Sequence, residues 1–261
     1  MDFVSQKQSL WELDSLRDAN RHSILIEGTP GCGKTYLAKH YSDLLGIEDF
    51  QIIQPTVQAI REAIDTCCLL ENRVVLCIEN LDKGVPAASY TLLKFLEEPT
   101  DNSYIVVTCR NLNKVPDTII SRSSVISVSP PLRQDIETFA RSKHNSRYPV
   151  VSKTRLWSCV RTFGDADTVL RMTDVQLDYF ESLSTILTNA DSVSGMMWKI
   201  GHYPDNTETP TELVIRYLME LSQNPHVQKC GIECIRDMSQ ANIAQHIAIA
   251  KFCFDIKYTT S

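Results

Sequence analysis

The sequence predicts an α/β domain built on a parallel sheet, followed by purely helical segments. Three observations carry that prediction. Short runs that are apolar throughout alternate with segments of helical spacing across the first half of the chain. The first of those runs leads directly into a glycine-rich loop. Beyond the Ser129-Pro130-Pro131 break, no stretch reads as a strand. The chain has 261 residues, 43% of them apolar and 22% charged, which suits one or two compact domains with a substantial core.

Residues 23–28, SILIEG, read as a short buried strand. Residues 35–45 have helical spacing, with Leu37, Tyr41 and Leu44 or Leu45 on one face. A brief strand over 50–53 precedes a helix over 57–70, whose Val57, Ile60, Ile64 and Cys67 or Cys68 recur at helical intervals. Residues 74–78, VVLCI, form an apolar run too uniform for a sheet with one wet face. A helix over 88–98 is stopped by Pro99, which cannot continue the hydrogen-bond ladder. Residues 104–108 and 124–128 complete the strands. Further on, 134–142 and 154–163 read as helical, with Gly164-Asp165 as a turn before 169–172. From about residue 175 everything is helical, and Ile243, Ile247, Ala250 and Phe254 line up as one apolar stripe. The expected domains are therefore 1–131 (α/β), 132–174 (small, helical) and 175–261 (helical, for packing or assembly).

Several function classes drop out. No run of about 18 apolar residues is present, and the acidic N-terminal stretch lacks the apolar centre of a signal peptide. Of the nine cysteines, Cys67 and Cys68 are adjacent, Cys32 lies in the glycine loop and Cys77 in a buried strand. No C-x-x-C pair occurs, and Cys230 and Cys234 have no further ligand nearby, so reduced thiols are expected rather than zinc or disulfides. The six histidines form no H-x-x-x-H pair, which removes a metal hydrolase. The net charge of −6 argues against a globally basic nucleic-acid binder. Residues 133–174 are nevertheless a basic island, holding Arg141, Lys143, Arg147, Lys153 and Arg155. That island is either a solvated face or a phosphate-backbone contact.

The strongest single motif is Gly28-Thr29-Pro30-Gly31-Cys32-Gly33-Lys34-Thr35, the pattern G-x-x-x-x-G-K-[ST] between a strand and a helix. Glycines let backbone N–H groups converge on phosphate oxygens, and the helix N-terminus adds partial positive charge. Lys34 would neutralise the terminal phosphates, and the Thr35 hydroxyl would bind Mg²⁺. The expected ligands are ATP and Mg²⁺. Many activities share this loop, so residues downstream must discriminate.

Residues 89–99, SYTLLKFLEEP, closely resemble the L-L-K-x-L-E-E-P helix of the AAA+ clamp-loader subunits, and IISRS around Arg122 resembles their S-R-C motif. Lys114-Val115-Pro116 matches the lead-in to that motif, and the helix before VVLCI is similar to that of the bacterial delta-prime subunit. The likeness has motif support over about residues 8–175, and beyond that rests only on helical character. It implies an AAA+ core, a helical lid and a helical collar within a multi-subunit assembly that loads a sliding clamp onto primer-template DNA. It implies that Arg122 is a catalytic finger reaching a neighbour's phosphate, and that the partners are other clamp-loader subunits, the clamp and the DNA backbone. A cytoplasmic location follows, in the host if the chain is viral. For Leu92, Leu93, Leu96, Glu97 and Glu98 the expectation is structural: a core stripe and a solvated helix end.

This chain departs from the family pattern. The zinc module of bacterial members is missing, and the collar is short, marking a compact and divergent member, viral or otherwise. Counting back from Leu92-Leu93-Lys94 sets Glu79 at the magnesium-holding acid and Asn80 at the catalytic glutamate, where an amide cannot take up a proton. A one-residue slip would instead set Glu79 at the catalytic position and lose the metal carboxylate. The polar sensor position falls on Arg110, and the lid motif G-x-x-R reads Gly164-Asp165-Ala166-Asp167, with an acid for the arginine. The expectation is an ATP-binding subunit with weak or absent hydrolysis. Open rivals are a fully active AAA+ ATPase using Asp82 (a motor subunit, helicase loader or initiator), a P-loop kinase, and a scaffold that binds no nucleotide.

Overall fold

The computed structural model describes residues 4–69, 72–100, 102–183, 193–204, 210–222, 224–240 and 245–258. The chain divides into two compact units. The first comprises Met1–Phe139 with Thr162–Gly164, and the second comprises Ala140–Arg161 with Asp165–Ser261.

The first unit is organised by five parallel strands: β1 (Ser23–Gly28), β2 (Asp49–Ile53), β3 (Val74–Ile78), β4 (Ser103–Cys109) and β5 (Ser124–Val128), in the order β2-β3-β4-β1-β5. Register is regular, with Ile24 opposite Val106 and Ser124, and Leu76 opposite Gln51 and Ile105. Every residue of β3 and β4 is buried, as the apolar runs VVLCI and YIVV require. Because side chains alternate, one sheet face carries Leu25, Leu76, Ile78, Ile105 and Val107, and the other carries Ile24, Ile26, Val75, Cys77 and Val106.

Helices cover both faces. α1 (Lys7–Asp18) and α2 (Lys34–Leu44) bring Leu13, Leu37 and Tyr41 to the second face. α3 (Val57–Leu69), α4 (Pro86–Glu97) and α5 (Asp117–Ile120) bring Ile60, Leu92, Phe95 and Ile119 to the first. Pro86 opens α4 at a position where its missing N–H costs nothing. Leu92 and Leu96 are buried as expected, and Leu93 packs half-buried on the same cluster. Helix α1 carried no expectation from the sequence.

Among its described residues the second unit contains helices joined by turns and no strand. α6 (Arg133–Lys143) begins in the first unit, and α7 (Tyr148–Val151), α8 (Arg155–Ser158), α9 (Phe163–Arg171) and α10 (Asp174–Ser182) follow. The helix expected over 154–163 is therefore a single turn, and Gly164-Asp165 is not a turn but the first turn of α9. The break has a local cause: the Asp165 carboxylate accepts the Arg161 backbone N–H at 2.9 Å, folding the chain back just before α9. Leu156, Trp157, Cys159 and Val160 are buried nonetheless, so their apolar spacing was real but did not mean helix.

α10 starts with a complete capping box, Thr173 and Gln176 each bonding the other's backbone. Helices Val193–Gly201, Thr211–Ser222, Pro225–Gln240 and Gln245–Tyr258 complete the unit. The expected C-terminal stripe is overturned in its described part. Ile247 and Phe254 are each 54% exposed, while Ala248, Phe252 and Cys253 are buried. This helix has apolar residues around most of its circumference, so spacing alone could not select the packed face. Ile243 lies outside the described residues.

Candidate nucleotide-binding site

The phosphate loop joins β1 to α2 at the carboxyl end of the sheet. Gly31 and Gly33 take positive φ values of 72° and 100°, a conformation that an L side chain rarely adopts. Space forbids a side chain as well: a Cβ on Gly31 would stand 2.5 Å from the Thr162 hydroxyl, and one on Gly33 would stand 2.6 Å from Gln6 Nε2. Gln6 is buried and donates from Nε2 to the Cys32 carbonyl at 2.7 Å. The Gly164 N–H donates to the Gly31 carbonyl at 3.3 Å. The loop is therefore braced from two distant stretches of sequence.

Lys34 opens α2 and is almost fully buried, its Nζ donating to the carbonyls of Gly28 (2.8 Å) and Thr29 (2.9 Å). Burial, with the Arg110 guanidinium adding to it, holds its ammonium below the ordinary lysine value. Burial likewise pushes the neighbouring Cys32 thiol up.

The Thr35 hydroxyl donates to Glu79 Oε1 at 2.5 Å. The structure thus brings together the two side chains expected to hold a metal. Asn80 is left-handed at φ 51°, and its N–H donates to the Thr108 hydroxyl at 2.9 Å. Thr108, a buried polar residue directly after the apolar run YIVV, is a signal in the sequence that the motifs did not capture. Asp82 accepts the Arg110 backbone N–H at 3.1 Å and lies close enough to Lys34 to act on its charge. Arg110 Nε is buried and has no hydrogen-bond partner among the described residues.

Arg122 stands elsewhere. It sits between α5 and β5, and since β5 begins level with the start of β1, it is at the opposite end of the sheet from the loop. Its Nη2 meets Glu97 Oε1 at 2.8 Å, and its Nη1 donates to the Thr118 carbonyl at 3.0 Å. Glu97 is therefore paired rather than merely solvated, and the two motifs of the resemblance touch. A cavity of about 420 Å³ lies beside them, lined by Arg21, His22, Leu96, Arg122 and neighbouring serines.

Within the second unit, Asp167 is held by His144 (3.3 Å), Lys143 (3.5 Å) and Arg171 (2.8 Å). Burial works to raise its carboxyl, but the His144 hydrogen bond and the charges of Lys143 and Arg171 outweigh it and the pKa is lowered. Much of the basic island is likewise engaged: Arg147 pairs with Asp174 at 2.7 Å, and Arg141 lies over the Tyr148 ring. Among the described residues no group of three or more His, Cys, Asp and Glu side chains could hold a metal, and no helix is long and apolar enough to cross a membrane. The nine cysteines are all free thiols.

A five-stranded parallel sheet with this strand order and loop defines the class: an AAA+-type P-loop fold. The solved structures bear this out. A DNA polymerase III gamma subunit-related protein from Thermotoga maritima superposes with a TM-score of 0.55 at 15% identity, covering 95% of this chain and 98% of that one. The Thermotoga maritima RuvB Holliday junction branch migration motor gives 0.51 at 13% identity, covering 94% and 79%. At these identities the likeness is one of fold. Residues 44–131 match the family described as DNA polymerase III, delta subunit. DNA polymerase III subunit delta' of Bacillus subtilis (strain 168) is 28% identical, and the match covers 46% of this chain and 46% of that protein. The chain spans about half the length of that curated relative. Together with the motifs around Lys94 and Arg122, the two sequence matches make this chain similar to clamp-loader subunits of DNA polymerase III. The family match begins after the phosphate loop, so the nucleotide site rests on its own motif and geometry.

Proposed function

We propose that this chain is a clamp-loader subunit that binds Mg²⁺-ATP on its own loop and turns it over weakly or not at all. The observation that carries the reading is the convergence of Lys34, Thr35 and Glu79 beside two left-handed glycines. Their chemistry fits the ligand: an ammonium for phosphate oxygens, and a hydroxyl with a carboxylate for a hard cation. When bound, the metal supplies charge neutralisation across the phosphates. Asn80 follows Glu79 where a proton-accepting side chain would be needed, and an amide does not serve.

Arg122, too far along the sheet to serve its own loop, is the group to lend to a neighbour. Residues 1–131 would act as the AAA+ domain, 132–174 as the lid and 175–261 as the collar joining a ring. The exposed Trp198, Ile232, Ile247 and Phe254 favour that last role. Sliding clamp and primer-template DNA would be the partners, DNA being gripped through its phosphates, in the cytoplasm.

The test is the mass of the complex formed with co-expressed neighbours, with and without ATP. An ATP-dependent assembly that Lys34→Ala abolishes supports the reading, whereas assembly indifferent to both favours a scaffold. One observation favours a second reading, an active ATPase: Asp82 lies within electrostatic reach of Lys34. Steady turnover that Asp82→Asn removes would establish it.

A further inference from the structure

Most of the basic island is engaged within the second unit: Lys143 meets Asp167, Arg147 meets Asp174, and Arg141 lies over Tyr148. Lys153 and Arg155 are different. Both are exposed, and neither side chain has a hydrogen bond or ion pair among the described residues. They stand at the rim of a cavity of about 510 Å³ between α8, α10 and the helix Thr211–Ser222. That size suits a bulky side chain or a small ligand. Its floor is apolar, made by Leu156, Leu177, Phe180 and Leu221. Tyr217 also lines it, a buried ring set edge-on to Phe180 with centroids 5.5 Å apart. The Tyr217 hydroxyl has no hydrogen-bond partner among the described residues, whereas those of Tyr41 and Tyr179 each donate to a carbonyl. Burial, with the Glu181 carboxylate adding to it, pushes this hydroxyl up against the pull of Arg155, so it keeps its proton and is free to donate.

We propose that this cavity holds the carboxyl-terminal end of a partner polypeptide that finishes in a large apolar residue. Such an end carries an apolar side chain and a carboxylate on one Cα, matching a leucine-lined floor directly beneath two unpaired cations. The side chain fills the floor, the carboxylate meets Lys153 and Arg155, and Tyr217 donates to it. An internal acidic residue would instead set its charge on a different residue from the apolar group. Glu181 is the single acid of the lining among the described residues, and it repels the carboxylate toward the cations. Nucleic acid suits the cavity less well: Phe180 and Tyr217 are both buried, so neither offers an open ring face for a base to stack on. Every residue involved belongs to the second unit, so the inference does not depend on nucleotide binding at the loop.

The probe is a fluorescently labelled peptide ending in Gly-Ser-Phe with a free carboxylate, titrated with the full chain and followed by anisotropy. Two controls accompany it: the same peptide as its carboxamide, and a form ending in serine. Removing the terminal charge should weaken binding about 10-fold, and removing the apolar side chain roughly 10- to 100-fold. Lys153→Ala and Arg155→Ala, both at exposed positions, should each weaken the free-acid peptide roughly 3- to 10-fold and leave the carboxamide unchanged. Tyr217→Phe keeps the ring and should weaken the free acid about threefold, with thermal melts confirming that all variants fold. No binding of the free acid, equal binding of acid and carboxamide, or lysine and arginine variants that bind as the wild type does would each overturn the inference. Displacement of the peptide by 3-phenylpropanoate at equal affinity would assign the cavity to a small carboxylic acid and overturn the polypeptide. Variants at 153 and 155 that lose a single-stranded oligonucleotide while the peptide is unaffected would assign the cations to nucleic acid instead.

Discussion

Replacing Arg216 by alanine should destabilise the second unit out of proportion to the atoms removed. Nη1 and Nη2 of Arg216 meet the two Asp165 oxygens at 2.8 and 3.1 Å, and Nη1 also donates to the Cys159 carbonyl at 2.8 Å. Glu212 adds a contact at 3.1 Å. Both side chains of the Asp165 pair are only 16% exposed, so water cannot replace the lost guanidinium fully. Truncating one partner of a buried pair strands the other charge, a loss of about 3–5 kcal/mol. Asp165 keeps the Arg161 N–H and some solvent, which sets the expectation near the lower end, about 3 kcal/mol. Changing both residues, Arg216→Met with Asp165→Asn, removes the stranded charge and should cost about 1–2 kcal/mol. The measurement is urea unfolding by tryptophan fluorescence in a Trp11→Phe background, leaving Trp157 and Trp198 of the second unit as reporters. A single-variant loss below about 1 kcal/mol, or a double variant no milder than the single, would refute the reasoning.

Other consequences are as direct. Native protein treated with iodoacetamide at neutral pH should take one adduct, at the exposed Cys68. Burial pushes Cys67 and Cys234 up to about 11, and Cys77, Cys109 and Cys253 up to about 12, and intact mass reads the count. Gly33→Ala should abolish ATP retention and lower stability by about 1–2 kcal/mol, since it strains a left-handed residue against Gln6; nucleotide binding and thermal melting check it together. Because Asp167 has a folded pKa below its unfolded value of 3.8, its contribution is present above that value and lost as pH falls through the folded one. Acid unfolding should therefore steepen below about pH 4, and Asp167→Asn should flatten that part of the profile. Lys34 deprotonates below the ordinary 10.5, so ATP affinity should fall as pH is raised toward that value, earlier than for an exposed lysine.

The sheet was legible because a strand buried on both faces has almost no freedom in composition: VVLCI and YIVVT could be little else. The loop was legible because its glycines do steric work that no other residue can do. Local signals failed where the deciding partner lies far away in sequence. Gln6 braces Cys32 from 26 residues upstream, its side-chain amide donating to a main-chain carbonyl, which no spacing rule encodes. Residues 156–160 offered apolar periodicity, but the Asp165–Arg161 contact broke the helix that periodicity suggested. In the last helix, apolar residues are too evenly spread for period to choose a face, and the line through Ile247 and Phe254 is not the packed one. Arg110 could be placed by counting, yet its neighbours Lys34 and Lys83 come from other elements and needed the fold to appear.

Glu97 and Arg122 come from what looked like two separate signatures, one on a helix and one before a strand. Their side chains are 47% and 38% exposed, so the bond between them is weak and screened by salt. Lending Arg122 to another chain therefore demands little from this one, and the carboxylate left behind simply meets water. The same contact ties the histories of the two positions together: a charge reversal at 97 would turn attraction into repulsion at 122. Among relatives these sites should change in concert, and a drifted helix motif would forecast a drifted arginine.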